Sequence, residues 1–313
     1  MDYFKEIHTR FPVRRTAAQK EAFRAWLETV CAGNGCPLRR EENGRLKHMQ
    51  LVAGDPEHAA LMLTCHYDTP ARSLLPDISF GQNLAAFALW TLAQVLLYMI
   101  PAALGFLAAA ALTGSGRLAL GLFLVIYLAE LTFSLWGPAR AHSLPQDAAL
   151  AAMLTVMERL PQPVRERTAF LFTDGGESGW QGAKAWCKTN PMPAYTRLTV
   201  ELGPLGLGTR LLMPESALAR KCTGYQTLRR ALEENGAMET VSLSSKRCFL
   251  RGGDRAFKCG IGLYSCKRLA ALGDVAMPGS PLIPEETARQ VEALAAAIVK
   301  ALVRLTGESA QAE

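Results

Sequence analysis

Two kinds of hydrophobic pattern share this chain. From Leu84 to Leu112 no residue carries a formal charge, and from Leu118 to Trp136 only Glu130 does. Each run is about the length needed to cross the roughly 30 Å hydrocarbon core of a bilayer as a helix. Thr113-Gly114-Ser115-Gly116-Arg117 leaves room only for a tight connection. The pattern therefore predicts an antiparallel transmembrane hairpin over 84–137, with spans of about 84–112 and 118–136. A soluble helix that is apolar on every face is hard to bury. Trp90 and Trp136 then fall at similar depth, as interfacial aromatics do. Pro101 is expected to kink the first span, which such helices tolerate. Glu130 is costly inside a span: either it is partnered at the depth of Gln94 and Tyr98, or it lies close enough to the cytoplasmic interface to reach water.

Outside the hairpin, short apolar runs alternate with 3.6-period segments. Thr16-Ala17-Ala18-Gln19 is a capping box that opens a helix to about Cys31, stopped by Gly33-Asn34-Gly35. An extended stretch from Arg45 to Val52 precedes a strand from Ala59 to Thr64, with Gly54 and Asp55-Pro56 turning the chain between them. Asp147 stands at the start of a periodic helix to Leu160, with Leu150, Leu154 and Met157 on one side. Strands follow at 167–173 and 198–202, and helices at 182–188 and 285–305, with a frayed tail from Gly307. The implied fold is α/β, a mostly parallel sheet with helices on both faces. It is built from a discontinuous domain, 1–83 and 138–313, interrupted by the hairpin. Ligands of such sheets bind at the carboxyl ends of strands.

Composition narrows the setting. Half of the residues are hydrophobic, yet the chain outside the hairpin is an ordinary globular mix. Met1-Asp2-Tyr3-Phe4-Lys5-Glu6 has no apolar signal region, so no export of the leading segment is expected. Arg72 and Arg140 flank the hairpin on the domain side, whereas the connection has only Arg117. The positive-inside bias then places a multi-pass protein in the cell membrane, with its globular domain cytoplasmic. Eight cysteines at irregular spacings read as reduced packing thiols, and Cys259 and Cys266 lack zinc-knuckle spacing. The net charge of +6 is unclustered. It suits an anionic membrane surface, and nucleic acid is excluded as a partner because no basic stripe with interleaved aromatics exists.

The chemistry-bearing residues lie at strand ends. His66 and Asp68, two apart in extended chain, project to one face. One can bind a metal while the other orients the imidazole; a plain histidine–aspartate loop pair is the alternative. Glu177 and Glu201 also fall at strand ends. Two carboxylates, a histidine and the helix-opening Asp147 form a set that divalent ions accept, zinc most readily. The same acids can equally be paired within the fold in salt bridges or caps.

Three motifs in order now resemble a known family. They are Thr64-Cys65-His66-Tyr67-Asp68-Thr69, the Asp147 helix with its Ala-Ala-Leu-Ala-Ala-Met-Leu run, and Thr173-Asp174-Gly175-Gly176-Glu177-Ser178-Gly179-Trp180-Gln181-Gly182-Ala183. Together they are similar to the co-catalytic zinc aminopeptidases, metallopeptidase family twenty-eight. That family also includes glutamate carboxypeptidases and, in related form, glutaminyl cyclases. The resemblance covers nearly everything outside the hairpin. It implies that His66 binds a first metal with Asp68 behind it, that Asp147 bridges two metals, and that Glu177 binds the second. Glu201 matches the first metal's other carboxylate, commonly Asp. Arg255, in Gly252-Gly253-Asp254-Arg255-Ala256-Phe257, falls where the family often lines its substrate pocket, to bind a substrate carboxylate or to pair with acids left unmetallated.

Two departures follow from the same comparison. The family's general-base glutamate, just before the second-metal glutamate, is here Gly176. The family's metal-binding histidine near the C-terminus is here Leu282, in Leu282-Ile283-Pro284-Glu285-Glu286-Thr287, and no histidine follows His142. The second metal site is therefore incomplete, while His66, Asp147 and Glu201 leave three ligands for one zinc ion, or none is bound. The resemblance with these losses implies a membrane-anchored pseudopeptidase that binds a peptide, an amino-acid-like ligand or a protein partner. The alternative is an active mononuclear metal-dependent aminopeptidase or related amide hydrolase, with Glu177 as a displaced base. If the two losses alone disable the centre, Gly176→Glu with Leu282→His should restore it.

Overall fold

A computed structural model of the chain describes residues 1–69, 84–136, 144–235, 239–244, 252–269, 275–277 and 284–310. Helix α1 (Tyr3–Arg10) is capped by Asp2, whose side chain accepts from the Lys5 N–H. Helix α2 (Ala17–Gly33) starts on the expected capping box, Thr16 and Gln19 each bonding the other's backbone, and Gly35 follows it at φ +71°. Strands β1 (Arg39–Asn43) and β2 (His48–Ala53) form a hairpin around Gly44 at φ +78° and Lys47 at φ +52°. The stretch read as extended from Arg45 is therefore turn as far as Lys47.

Strand β3 (Leu61–His66) precedes two long helices, α3 (Leu84–Thr113) and α4 (Gly116–Trp136). Then come α5 (Leu144–Arg159), α6 (Gln162–Arg165), β4 (Thr168–Thr173), α7 (Gln181–Thr189), α8 (Pro191–Thr196) and β5 (Thr199–Leu202). The remainder is β6 (Arg210–Glu215), α9 (Tyr225–Glu234), β7 (Glu239–Ser244), β8 (Gly260–Leu269), β9 (Val275–Met277) and α10 (Pro284–Ala310). A 3-10 turn, Gly253–Ala256, precedes β8.

The sheet runs β1-β2-β4-β3-β5-β8-β6-β7, with β9 on β8. Strands β4, β3, β5 and β8 are parallel neighbours, while β1 and β2 on one side and β6 against β8 on the other are antiparallel. The expected mostly parallel sheet is thus mixed. A tight turn between β1 and β2 can join only antiparallel strands. All residues of β3, β4 and β5 are buried, as central parallel strands must be when helices cover both faces. Leu61, Leu63 and Cys65 share a core with α1, α2, α5, α9 and α10. Met62, Ala169 and Leu171 pack on the other side against Trp186 of α7 and Ala194 of α8. Alternation along β3 therefore sends Cys65 towards α5 and His66 towards α7.

Helices α3 and α4 pack against each other. Ala102 and Ala119 are fully buried, and a Cβ at Gly105 would strike Ile126. Leu92, Ile100, Leu107, Val125 and Leu128 are exposed. Pro101 lies inside α3 without ending it. Among the described residues one helical stretch, Thr91–Thr113, is long and apolar enough to cross a membrane, with mean hydropathy 2.2. The side chains of Trp90, Gln94, Tyr98 and Trp136 lie outside the described residues, as do Arg72, Arg140 and Leu282.

Candidate functional site

His66 closes β3, in register with Thr173 at the end of β4. The loop after β4 then folds back across the imidazole, turning through Gly175 (φ +66°), Gly179 (φ +84°) and Trp180 (φ +57°). Asp68 holds both parts together. One carboxylate oxygen lies 3.2 Å from His66 Nδ1 and accepts the Gly176 N–H at 2.9 Å, while the other accepts the Glu177 N–H at 3.1 Å. Burial opposes ionisation of both residues, but the mutual hydrogen bond and charge outweigh it. Asp68 is held below the usual carboxylate range, and His66 is pushed up to about 9 with help from Glu177 and Glu201. His66 Nε2 lies 3.9 Å from Glu177 Oε1. Trp180 meets the imidazole edge-on, ring centres 6.4 Å apart.

Gly176 has no positive φ; what it requires is space. A Cβ there would lie 2.5 Å from His66 Nδ1, 2.6 Å from its Cβ and closer still to Cγ. The imidazole occupies the volume that a side chain at position 176 would need. Restoring a glutamate there is blocked by His66 itself, so the expected repair by Gly176→Glu does not suit this structure.

Glu201 lies in register with Thr64 and, by alternation, on the His66 side of the sheet. Its carboxylate accepts from Trp180 Nε1 at 2.9 Å, from the Asp254 N–H at 2.7 Å, and from the Tyr264 hydroxyl in a short bond. The same hydroxyl lies 2.9 Å from Asp254 Oδ1. Burial first, and then the charge of Glu201, push the Asp254 carboxyl up to about 7, so Asp254 retains its proton over much of the acidic range. A Cβ at Gly203, Gly252 or Gly262 would strike Tyr264; three glycines make the slot that it fills. Arg255, exposed on the 3-10 turn, lowers the Asp254 carboxyl by its charge.

Asp147 has different company. It lies in the first turn of α5, not at its cap, and α5 covers the opposite face of the sheet. Gln146 beside it donates to the His66 carbonyl, which fixes the start of α5 against the end of β3. The Asp147 carboxylate, fully buried, lies 2.7 Å from Arg14 Nη1 and 3.1 Å from His8 Nδ1. The contact with Arg14 is a charge pair off the line of a hydrogen bond, since Asp147 Oδ1 has no hydrogen-bond donor. The Asp147 hydrogen bond raises His8 above its ordinary value against the effect of burial.

The structure thus joins His66, Asp68 and Glu177, links Glu201 to Trp180, Asp254 and Tyr264, and pairs Asp147 with Arg14. The residues do not fit a zinc ion in this arrangement. Asp147 faces a guanidinium, Glu201 already takes three donors, and among the described residues no three His, Cys, Asp or Glu side chains are gathered as a metal site. Sequence reasoning missed Arg14, Trp180, Asp254 and Tyr264. Glycine density around residues 252–262 was the available signal for the last two.

No family model matches the chain, and no curated protein matches it by sequence. Solved structures do. A Zn-dependent exopeptidase from Parabacteroides distasonis superposes with a TM-score of 0.56 at 11% identity, covering 97% of this chain and 95% of that one. A glutaminyl cyclase from Porphyromonas gingivalis gives 0.54 at 10% identity, covering 98% and 96%. This is the fold of zinc exopeptidases and glutaminyl cyclases. The LapA aminopeptidase of Legionella pneumophila shares it at a TM-score of 0.51 and 12% identity, over 96% of this chain and 69% of that one. At such identities the shared property is the exopeptidase-like fold, and the chemistry is argued from the residues.

Proposed function

We propose that this is a membrane-anchored protein whose exopeptidase-like domain binds a peptide, an amino-acid-like ligand or a protein segment, and does not hydrolyse it efficiently. The observation that carries the reading is the imidazole of His66 seated over Gly176. Position 176 supplies no carboxylate, and the ring leaves no space for one. General acid–base assistance is worth about 10² to 10⁴ in rate, so its loss alone removes most turnover. Glu177 beside His66 and Arg255 on the 3-10 turn are the charged residues through which binding is tested. The apolar surface of α3 and α4 supports the anchor, with the domain on the cytoplasmic side.

The test uses the full chain in detergent. Calorimetric titration with short peptides should give binding that Arg255→Ala and Glu177→Gln each weaken, with no release from an aminoacyl anilide. Measurable hydrolysis by the unmodified protein would sink the reading. In intact cells, Ser115→Cys should react with impermeant reagents added outside and Ser143→Cys should not; the reverse pattern would overturn the topology.

A further inference from the structure

The family resemblance places a metal ion against the aspartate at position 147, and the structure places an arginine there. We infer that the Arg14 guanidinium stands in for the metal's charge at Asp147, so that this end of the domain keeps its shape without a divalent ion. The inference goes beyond the proposed function and holds whether or not the cleft binds a peptide.

Arg14 and Asp147 are both fully buried. A buried carboxylate needs a cation or a proton, and a guanidinium supplies a charge that no accessible pH removes. The arginine is anchored on the segment that carries the candidate ligands. Its Nε donates to the Tyr67 carbonyl at 2.6 Å, its backbone N–H to Thr69 Oγ1 at 2.9 Å, and its Nη1 to the Phe11 carbonyl at 2.7 Å. The guanidinium carbon lies 5.1 Å from the centre of the Phe23 ring, a stacking contact open to arginine. Tyr67 and Thr69 bracket Asp68, so the cation is attached to the strand exit on both sides of that residue.

Two more cations arrive from the same N-terminal stretch. Lys20 forms an ion pair with Asp174, and Arg24 Nη1 donates to the Tyr67 hydroxyl at 3.1 Å. A zinc–oxygen bond is about 2.0–2.2 Å long. With Nη1 at 2.7 Å from Asp147 Oδ1, a zinc ion on that oxygen would share it with a like-charged guanidinium, which disfavours the metal while Arg14 stays in place.

The full chain in detergent, equilibrated with zinc and then desalted, should retain substoichiometric metal, and its Tm should move with neither zinc nor EDTA. Arg14→Ala should lower the Tm by roughly 10 °C, and added zinc or a second change, Asp147→Asn, should recover part of that loss. About one retained zinc per chain with a Tm lowered by EDTA would overturn the inference, as would additive effects of Arg14→Ala and Asp147→Asn. If Arg14→Ala yields no folded protein, Asp147→Asn alone decides, because an unmoved Tm would show that the buried pair does not matter. Failure of peptide binding would sink the proposed function and leave these outcomes untouched.

Discussion

Adding one methyl group at position 176 perturbs the candidate site at its tightest point. The new Cβ would lie 2.5 Å from His66 Nδ1 and 2.6 Å from His66 Cβ, against the 3.5–4.0 Å at which carbon atoms ordinarily meet. His66 Cβ is fixed by the backbone of β3, and Nδ1 belongs to a rigid ring held by Asp68, so no flexible tip can swing aside. The ring must move by about 1 Å, which breaks the 3.2 Å contact of Nδ1 with Asp68. Overpacking costs about 1–3 kcal/mol, and losing a hydrogen bond to a charged group about 1.5–3 kcal/mol. Gly176→Ala should therefore destabilise by about 2.5–6 kcal/mol, a Tm loss of roughly 10 °C for a domain of this size. Thermal unfolding in detergent reads it, alone and in a cycle with His66→Ala. Removing the ring relieves the contacts with Cγ and Nδ1 and leaves only the one with Cβ, so the double variant should be less destabilised than the sum of the singles by about 1–3 kcal/mol. A Gly176→Ala protein as stable as wild type, or a cycle that closes additively, would refute the steric argument.

Asp254 predicts an unusual pH dependence. Its folded value of about 7 lies above the ordinary value of about 4, so the folded state keeps a proton that the unfolded state has released, and stability falls as pH rises between the two. Asp254→Asn keeps an acceptor for Tyr264 and removes the titration, so unfolding midpoints from pH 4 to 7 should lose up to about 1.4 kcal/mol per pH unit of slope; unchanged slopes would contradict it. Thr16→Ala removes the acceptor for the Gln19 N–H and should cost about 1 kcal/mol, visible as a few degrees of Tm; a larger loss would mean that the start of α2 also fixes Arg14.

Residues that act locally were legible in the sequence. The capping box at Thr16 and Gln19, the strand end at His66, the Asp68 partner and the loop through Glu177 all follow from spacing within a few positions. Pairing across the fold was not. Arg14 precedes a helix in an irregular segment, and Arg14-Arg15 looks like surface charge until the fold brings it against Asp147. Tyr264 carries no motif, since its place depends on three glycines from separate segments. The mixed sheet was hidden for the same reason: β6 to β8 pair through long-range register that periodicity does not encode. Asp147 was found at a helix start as expected, but its partner depends on which face α5 covers.

The position of α3 and α4 in the chain also dictates an order of events during synthesis. Strand β3 lies between β4 and β5, and both are encoded after the two long apolar helices. A nascent chain that has completed only its first 136 residues holds the β1–β2 hairpin and a strand destined for complete burial with neither neighbour made. That strand has two open edges, the condition under which chains associate wrongly. Maturation of the domain must wait until α3 and α4 have emerged, and a product truncated between them and β4 should be handed to chaperones or proteases.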